Sequence, residues 1–204
     1  MDETIRAISA GRSAGELKGS TRGALICALF GSVWMYWAVV FSGNPTPLRF
    51  LIVTVPAVLL VSWGIVRSRA ARHLLLSAAD VEHWSAFRKF FWVNSGIEWG
   101  LSGVAVFALA QLGRYDLIPQ ALGIIIGLHF FPLVKIFRAP RYYWTGGIMV
   151  VAALGSLLIH RGSIRNIVGC AAIGLTLWAT GAAILFWTSS AVGGQTPSRV
   201  PRTS

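Results

Sequence analysis

Glu98 is the residue of this 204-residue chain best suited to chemistry, because its carboxyl group lies inside a long apolar run. A charged group at the centre of a membrane helix costs about 2.5–3.5 kcal/mol on insertion scales, and such groups usually face protein or a water-filled cavity. Asn94 and Ser102 lie four positions to either side, so the three residues form one polar stripe on a helix. The stripe predicts either a proton-binding site or a polar clasp between helices.

His129 is the second candidate, in the apolar run that follows. Imidazole titrates near neutral pH, so a histidine beside a carboxyl group is suited to proton transfer. Pro132 removes a backbone donor and crowds the carbonyl of Leu128, which predicts a helix kink beside His129. The alternative interpretation is a core or interfacial histidine whose hydrogen bonds are purely structural.

A tight turn, Gly113–Asp116, joins these two runs and predicts an antiparallel hairpin. At a rise of about 1.5 Å per residue, residues at equal depth have numbers summing to about 227, which places Glu98 level with His129. Since no Lys or Arg lies at that depth, the neutral form of the Glu98 carboxyl group is expected.

Small residues offer a competing way to pack the same hairpin. Glycines four residues apart let helix backbones approach closely. They lie roughly opposite the ionisable residue on each helix, since two positions rotate a helix by about 200°. The two helices of the hairpin can face each other either through their glycines or through Glu98 and His129, and the sequence leaves both arrangements open. The predicted helix-packing residues are Gly96, Gly100, Gly123 and Gly127.

The elements that position these residues are apolar helices, because the chain is 55% hydrophobic and only 12% charged. A bilayer core needs about 20 apolar residues per helix, whereas barrel strands would alternate over about 10 residues. The predicted fold is an all-α bundle of six transmembrane helices. The six stretches are Gly23–Ser42, Leu48–Val66, Phe90–Gln111, Leu117–Val134, Tyr142–Ile159 and Ile167–Trp187.

Lys and Arg fall unevenly on alternate connections, with 14 on the side that bears both termini and 4 on the other. Basic residues resist translocation, so both termini are predicted to be cytoplasmic. The 15 Arg against 3 Lys favour a bacterial source, and hence the inner membrane. The predicted organisation is a cytoplasmic N-terminal tail at 1–22, a membrane domain at 23–188 and a disordered cytoplasmic tail at 189–204.

The sequence carries no pattern typical of a metal, cofactor or nucleic-acid site. The connection 67–89 is predicted to form an interfacial or extended cytoplasmic helix, and its His73, Asp80 and His83 match no metal-ligand spacing. Cys27 and Cys170 lie in separate apolar runs without a CxxC pattern. The basic residues form no continuous stripe, so the expected partners are the lipid bilayer and membrane proteins, including a second copy.

Three motifs in the third and fourth runs are similar to a known group of proteins. They are Trp92-Val93-Asn94 with Glu98-Trp99, then Gly127-Leu128-His129-Phe130-Phe131-Pro132-Leu133, then Arg138-Ala139-Pro140-Arg141-Tyr142-Tyr143. Over roughly 91–147 the chain resembles a small family of bacterial multi-pass membrane proteins with six helices. The resemblance implies no activity, cofactor or mechanism, because that family has none established.

Three hypotheses about function remain. The first and favoured one is a multi-pass membrane protein without catalysis of its own, acting by assembly with itself or with partners. The second is a proton-linked or small-solute transporter, with Glu98 as the titrating group and His129 and Asn94 as supports. The third is an intramembrane enzyme acting on a lipid, which a single membrane carboxylate and the absence of a ligand cluster disfavour.

Overall fold

The computed structural model describes residues 14–71, 78–137 and 139–192, and all regular structure in these ranges is helical. The predicted all-α fold is therefore confirmed for the described residues. Residues 1–13 and 193–204 of the predicted tails lie outside those ranges. Residues 14–22 and 189–192, predicted as tail, belong to the first and last helices, so the disorder predicted for 189–192 was wrong. The helices are α1 (Ala14–Phe41), α2 (Pro47–Ala71), α3 (Ala78–Gln111), α4 (Ile118–Phe137), α5 (Arg141–Ser156) and α6 (Gly162–Val192), with a 3-10 turn at Tyr115–Leu117.

Within the described ranges, five segments are long and apolar enough to cross a membrane, and α5 is the predicted span that falls outside this set. With 16 residues, α5 is about 24 Å long, short of a hydrocarbon core of about 30 Å. Beyond Ser156, three i→i−3 hydrogen bonds carry the chain on to Ile159, the predicted end of the span. The five candidate spans are Lys18–Phe41, Pro47–Ala71, Arg88–Gln111, Tyr115–Lys135 and Gly162–Phe186.

Helix α3 is longer than its apolar span, because residues 78–87 continue it at its N-terminal end. The helix predicted within the connection 67–89 thus extends α3 directly. At the other end, the helix stops at the turn predicted from sequence. Gly113 has a φ of 66°, a left-handed conformation that glycine adopts without a Cβ penalty. The chain reverses there and α4 begins after the 3-10 turn.

The centre of the bundle is formed where α1 and α6 pack at backbone distance. A Cβ atom added to Gly31 would lie 2.9 Å from the carbonyl oxygen of Gly174, and one added to Gly174 would lie 2.9 Å from that of Gly31. Nearby, Trp178 Nε1 donates to the carbonyl oxygen of Ala28 at 3.2 Å. Lipid tails are as apolar as the core, so such close packing and interhelical hydrogen bonds stabilise the bundle.

Helix α3 lies at the edge of the bundle and packs mainly against α4. Within its apolar span, Arg88–Gln111, the only buried residue is Ser95. Helix α4 in turn packs closely on α5, which packs on α6. The polar stripe of α3 therefore contacts α4 at the edge of the bundle rather than at its centre.

Candidate functional site

Glu98, His129 and Asn94 meet between α3 and α4. The Oε2 atom of Glu98 lies 3.0 Å from Nδ1 of His129. The Nδ2 atom of Asn94 lies 2.9 Å from the same Nδ1. The two helices run antiparallel from the Gly113 turn, and the equal depth predicted for Glu98 and His129 brings the side chains into contact. Of the two open arrangements of the hairpin, the structure has the Glu–His pair.

The cluster has a specific proton requirement, because two groups approach one ring nitrogen. If Nδ1 carries a proton, it donates to Glu98, and Asn94 must present its carbonyl oxygen. If Nδ1 is an acceptor, either the Asn94 amide or a protonated Glu98 donates to it. The Asn94 amide orientation and the proton position are thus coupled, so a change in either one alters the hydrogen bonds of all three residues.

The cluster is partly shielded from the surroundings. The side chain of Glu98 is 17% exposed and that of His129 is 10% exposed, in accordance with a location between two helices at the bundle edge. Ser102, the last member of the predicted stripe, is half-buried one turn further along α3. The contacts that join Asn94, Glu98 and His129 do not include Ser102. Of the four predicted site residues, Asn94, Glu98 and His129 are therefore in contact, and Ser102 lies apart from them.

The predicted glycine packing holds on α4 but not on α3. A Cβ atom on Gly127 would lie 3.0 Å from the carbonyl oxygen of Gly146, so Gly127 seats α5 rather than α3. Gly123 faces Ile173 of α6 and Ala153 of α5. The predicted helix-packing role of Gly96 and Gly100 was wrong, since no atom of a neighbouring element lies within 4 Å of a Cβ added to either. With the Glu–His pair inward, the glycine face of α3 points away from α4.

Further polar contacts form a second cluster near the start of α4 that sequence reasoning missed. Gln120 Nε2 donates to Asn166 Oδ1 at 3.0 Å, and both residues are buried. Arg165, also buried, forms an ion pair with Asp116 in the turn ahead of α4. The sequence indicated this cluster only through two polar residues, Gln120 and Asn166, that lie close to the ends of apolar runs. Arg165 was considered only as a basic residue in a connection, as a sign of membrane orientation.

No metal site is formed by the described part of the chain. Groups of three or more His, Cys, Asp or Glu that could hold a metal ion do not occur among these residues. Cys27 and Cys170 are buried free thiols, and small buried cysteines behave as hydrophobic side chains. His73 and the side chains of Asp80 and His83 lie outside the described residues.

Comparisons with known proteins add no relatives to this picture. No family model matches the chain, and no match is found among curated proteins or solved structures. The resemblance of 91–147 to a small bacterial family is therefore unsupported. The apolar helices themselves place the chain in the class of multi-pass membrane proteins.

Proposed function

We propose that this chain is a bacterial inner-membrane protein with six spans and cytoplasmic termini, acting by assembly with itself and without catalysis of its own. The 14-to-4 distribution of Lys and Arg supports the orientation. In addition to the five candidate spans, this proposal counts α5, together with the apolar turn that follows it to Ile159, as a span. That segment, Arg141–Ile159, has 19 residues, which is within the usual range for a tilted or locally thinned membrane.

The observation that carries the assembly proposal is the outward face of α3. Gly96, Gly100 and Gly103 all have open space where a Cβ atom would lie. Inside the chain, the glycine pairs Gly31–Gly174 and Gly127–Gly146 are filled by a neighbouring helix. The glycines of the α3 face have no neighbour in the described part of the chain, so a second α3 helix fits against them at short distance.

Subunit counting tests this proposal. Fluorescently labelled protein is reconstituted into vesicles at low density, and photobleaching steps are counted for the parent, Gly100→Leu and Gly155→Leu. Gly155 is the matched control, because it is equally open but lies on α5. We expect two or more steps for the parent and Gly155→Leu, and mainly one for Gly100→Leu. A parent protein that shows single steps at every density tested would contradict the proposal.

Proton-linked transport is the second candidate function, and the 3.0 Å contact between Glu98 and His129 favours it. A carboxyl group and an imidazole in contact within a membrane can exchange a proton. Proteoliposomes loaded with a pH-sensitive dye provide the test. Transport predicts flux in the parent that is lost in Glu98→Gln, whereas the assembly proposal predicts no flux in either protein.

A further inference from the structure

A groove of about 400 Å³ lies on the outer surface between α5 and α6. Its walls include exposed large side chains, Trp144, Ile148 and Leu175, and its deeper part includes the buried Thr145 and Thr180. None of the residues of the Glu–His–Asn cluster lines it. The groove opens toward the space that lipid occupies around a membrane bundle.

The threonines of the groove present an apolar surface, because their hydroxyl groups are already bonded within the protein. The Oγ1 atoms of Thr145 and Thr180 lie 2.8 Å apart, and Thr180 Oγ1 also donates to the carbonyl oxygen of Thr176 at 2.8 Å. Thr176 Oγ1 donates to the carbonyl oxygen of Ala172 at 2.7 Å. With the hydroxyls satisfied, the surface suits a hydrocarbon chain and offers little to a sugar or a polar solute.

Arg141 lines one end of the groove. The carbon of its guanidinium group lies 5.7 Å from the centre of the Tyr142 ring, and its Nε atom is buried without a hydrogen-bond partner in the described part of the chain. Arg141 is also the first residue of α5, and the backbone N–H groups of Tyr142 and Tyr143 donate to the carbonyl oxygens of Ala139 and Pro140. The guanidinium charge and the positive end of the helix dipole both favour an anion at this end.

The length of the groove matches the thickness of one leaflet of the bilayer. From Leu175 to Ala183 the groove follows α6 for about 12 Å, less than half of a hydrocarbon core of about 30 Å. Since Thr145 pairs with Thr180, Arg141 lies near the Ala183 end and Ile148 toward the other. The candidate span Gly162–Phe186 of α6 ends three residues after Ala183. The end of the groove at Arg141 and Ala183 therefore lies near the membrane interface, and the apolar end points toward the bilayer centre.

We propose that this groove binds one anionic phospholipid, with an acyl chain along α5 and α6 and the phosphate group against Arg141. The charge at one end and the apolar surface along the rest match the two parts of such a lipid. This site is independent of the assembly face on α3, since it lies on different helices. Loss of self-assembly would therefore leave lipid binding intact.

Native mass spectrometry of the full-length protein in detergent tests the proposal. The protein is titrated with phosphatidylglycerol or with phosphatidylcholine of the same acyl chains. We expect one phosphatidylglycerol retained preferentially, and about tenfold weaker retention in Arg141→Gln. Arg161→Gln is the matched control, because it removes the same charge from an exposed position in the connection after α5. Equal retention of the two lipids by the parent, or equal losses in both variants, would overturn the proposal.

A second pair of variants tests the acyl-chain part without touching the arginine. Ala183→Phe places a ring in the groove, and Ala108→Phe adds the same ring to an exposed position on α3. We expect Ala183→Phe to lose the lipid and Ala108→Phe to keep it, with both variants folded by circular dichroism. Displacement of the lipid by millimolar inorganic phosphate would indicate a free-phosphate site and contradict a lipid site. Retention of the lipid by Ala183→Phe would contradict it as well.

Discussion

The carboxyl oxygen of Glu98 lies 3.0 Å from Nδ1 of His129, and this contact joins α3 to α4. Helix α3 lies at the bundle edge, and Ser95 is the only buried residue of its span Arg88–Gln111. The polar contacts of His129 with Glu98 and Asn94 lie on the face of α3 that meets α4. They also leave the glycine face outward.

Glu98→Leu should destabilise the protein, whereas Glu98→Gln should not. The Leu side chain removes a hydrogen bond to His129 and leaves a part-buried imidazole nitrogen with one partner fewer, at a cost of about 1–2 kcal/mol. Gln keeps the length and an acceptor oxygen. Thermal unfolding in detergent is the measurement, with Ser102→Ala as a control on the same stripe. If Glu98→Leu unfolds at the parent temperature, the clasp does not stabilise the α3–α4 contact.

Gly127→Leu should disrupt folding far more than Leu128→Ala. A side chain at position 127 would meet Val150 and Met149 as well as the backbone of Gly146, so α4 and α5 would be forced apart. Leu128 is half exposed, and its truncation in lipid removes few protein contacts. The yield of monodisperse protein after detergent extraction measures both effects. Similar yields for the two variants would show that α4 and α5 do not pack through these glycines.

Arg165→Gln should cost more stability than Arg114→Gln, although both arginines contact Asp116. The side chain of Arg165 is 11% exposed and that of Arg114 is 54% exposed. Exposed ion pairs contribute about 0–1 kcal/mol. A shielded charge-assisted hydrogen bond contributes about 1.5–3 kcal/mol, at the lower end here because Asp116 is 43% exposed. Chemical unfolding in mixed micelles compares the two, and a larger loss for Arg114→Gln would refute this ranking.

Reporter fusions test the proposed orientation. Fusions after Gly43, Arg114 and Gly162 should report the periplasm, and fusions after Asp80, Ala139 and Ser190 the cytoplasm. The fusion at position 162 is decisive, because it follows α5, the helix too short to count as a span on its own. A cytoplasmic signal there, with Ser190 periplasmic, would leave five spans and remove the six-span proposal.

Depth along the helices could be predicted from the sequence, while rotation about their axes could not. The position of the Gly113 turn was sufficient to place Glu98 level with His129. The face that each helix turns inward depends on all its neighbours, however. Gly127 packs on Gly146 of α5, and nothing in the spacing of Gly123 and Gly127 indicated α5 rather than α3 as the partner.

Hydropathy alone could not predict the residue at which α5 ends either. The apolar run continues to Ile159, yet the α-helix ends at Ser156, where the hydrogen bonds tighten to i→i−3. The buried pair Gln120–Asn166 was missed for a related reason, because it joins α4 to a helix 46 residues later in the chain. Such contacts follow from the packing of the whole bundle rather than from a local pattern.

Disulfide cross-linking across α3 is the most direct test of self-assembly through its open glycine face. Cys27 and Cys170 are first replaced by Ala, and a single cysteine is introduced at Gly100 or at Leu101, which is rotated by about 100° from it. Both positions are exposed in the single chain. Oxidation in native membranes should give a covalent dimer for Gly100→Cys and little or none for Leu101→Cys. Equal cross-linking at both positions, or none at Gly100→Cys, would contradict assembly through this face.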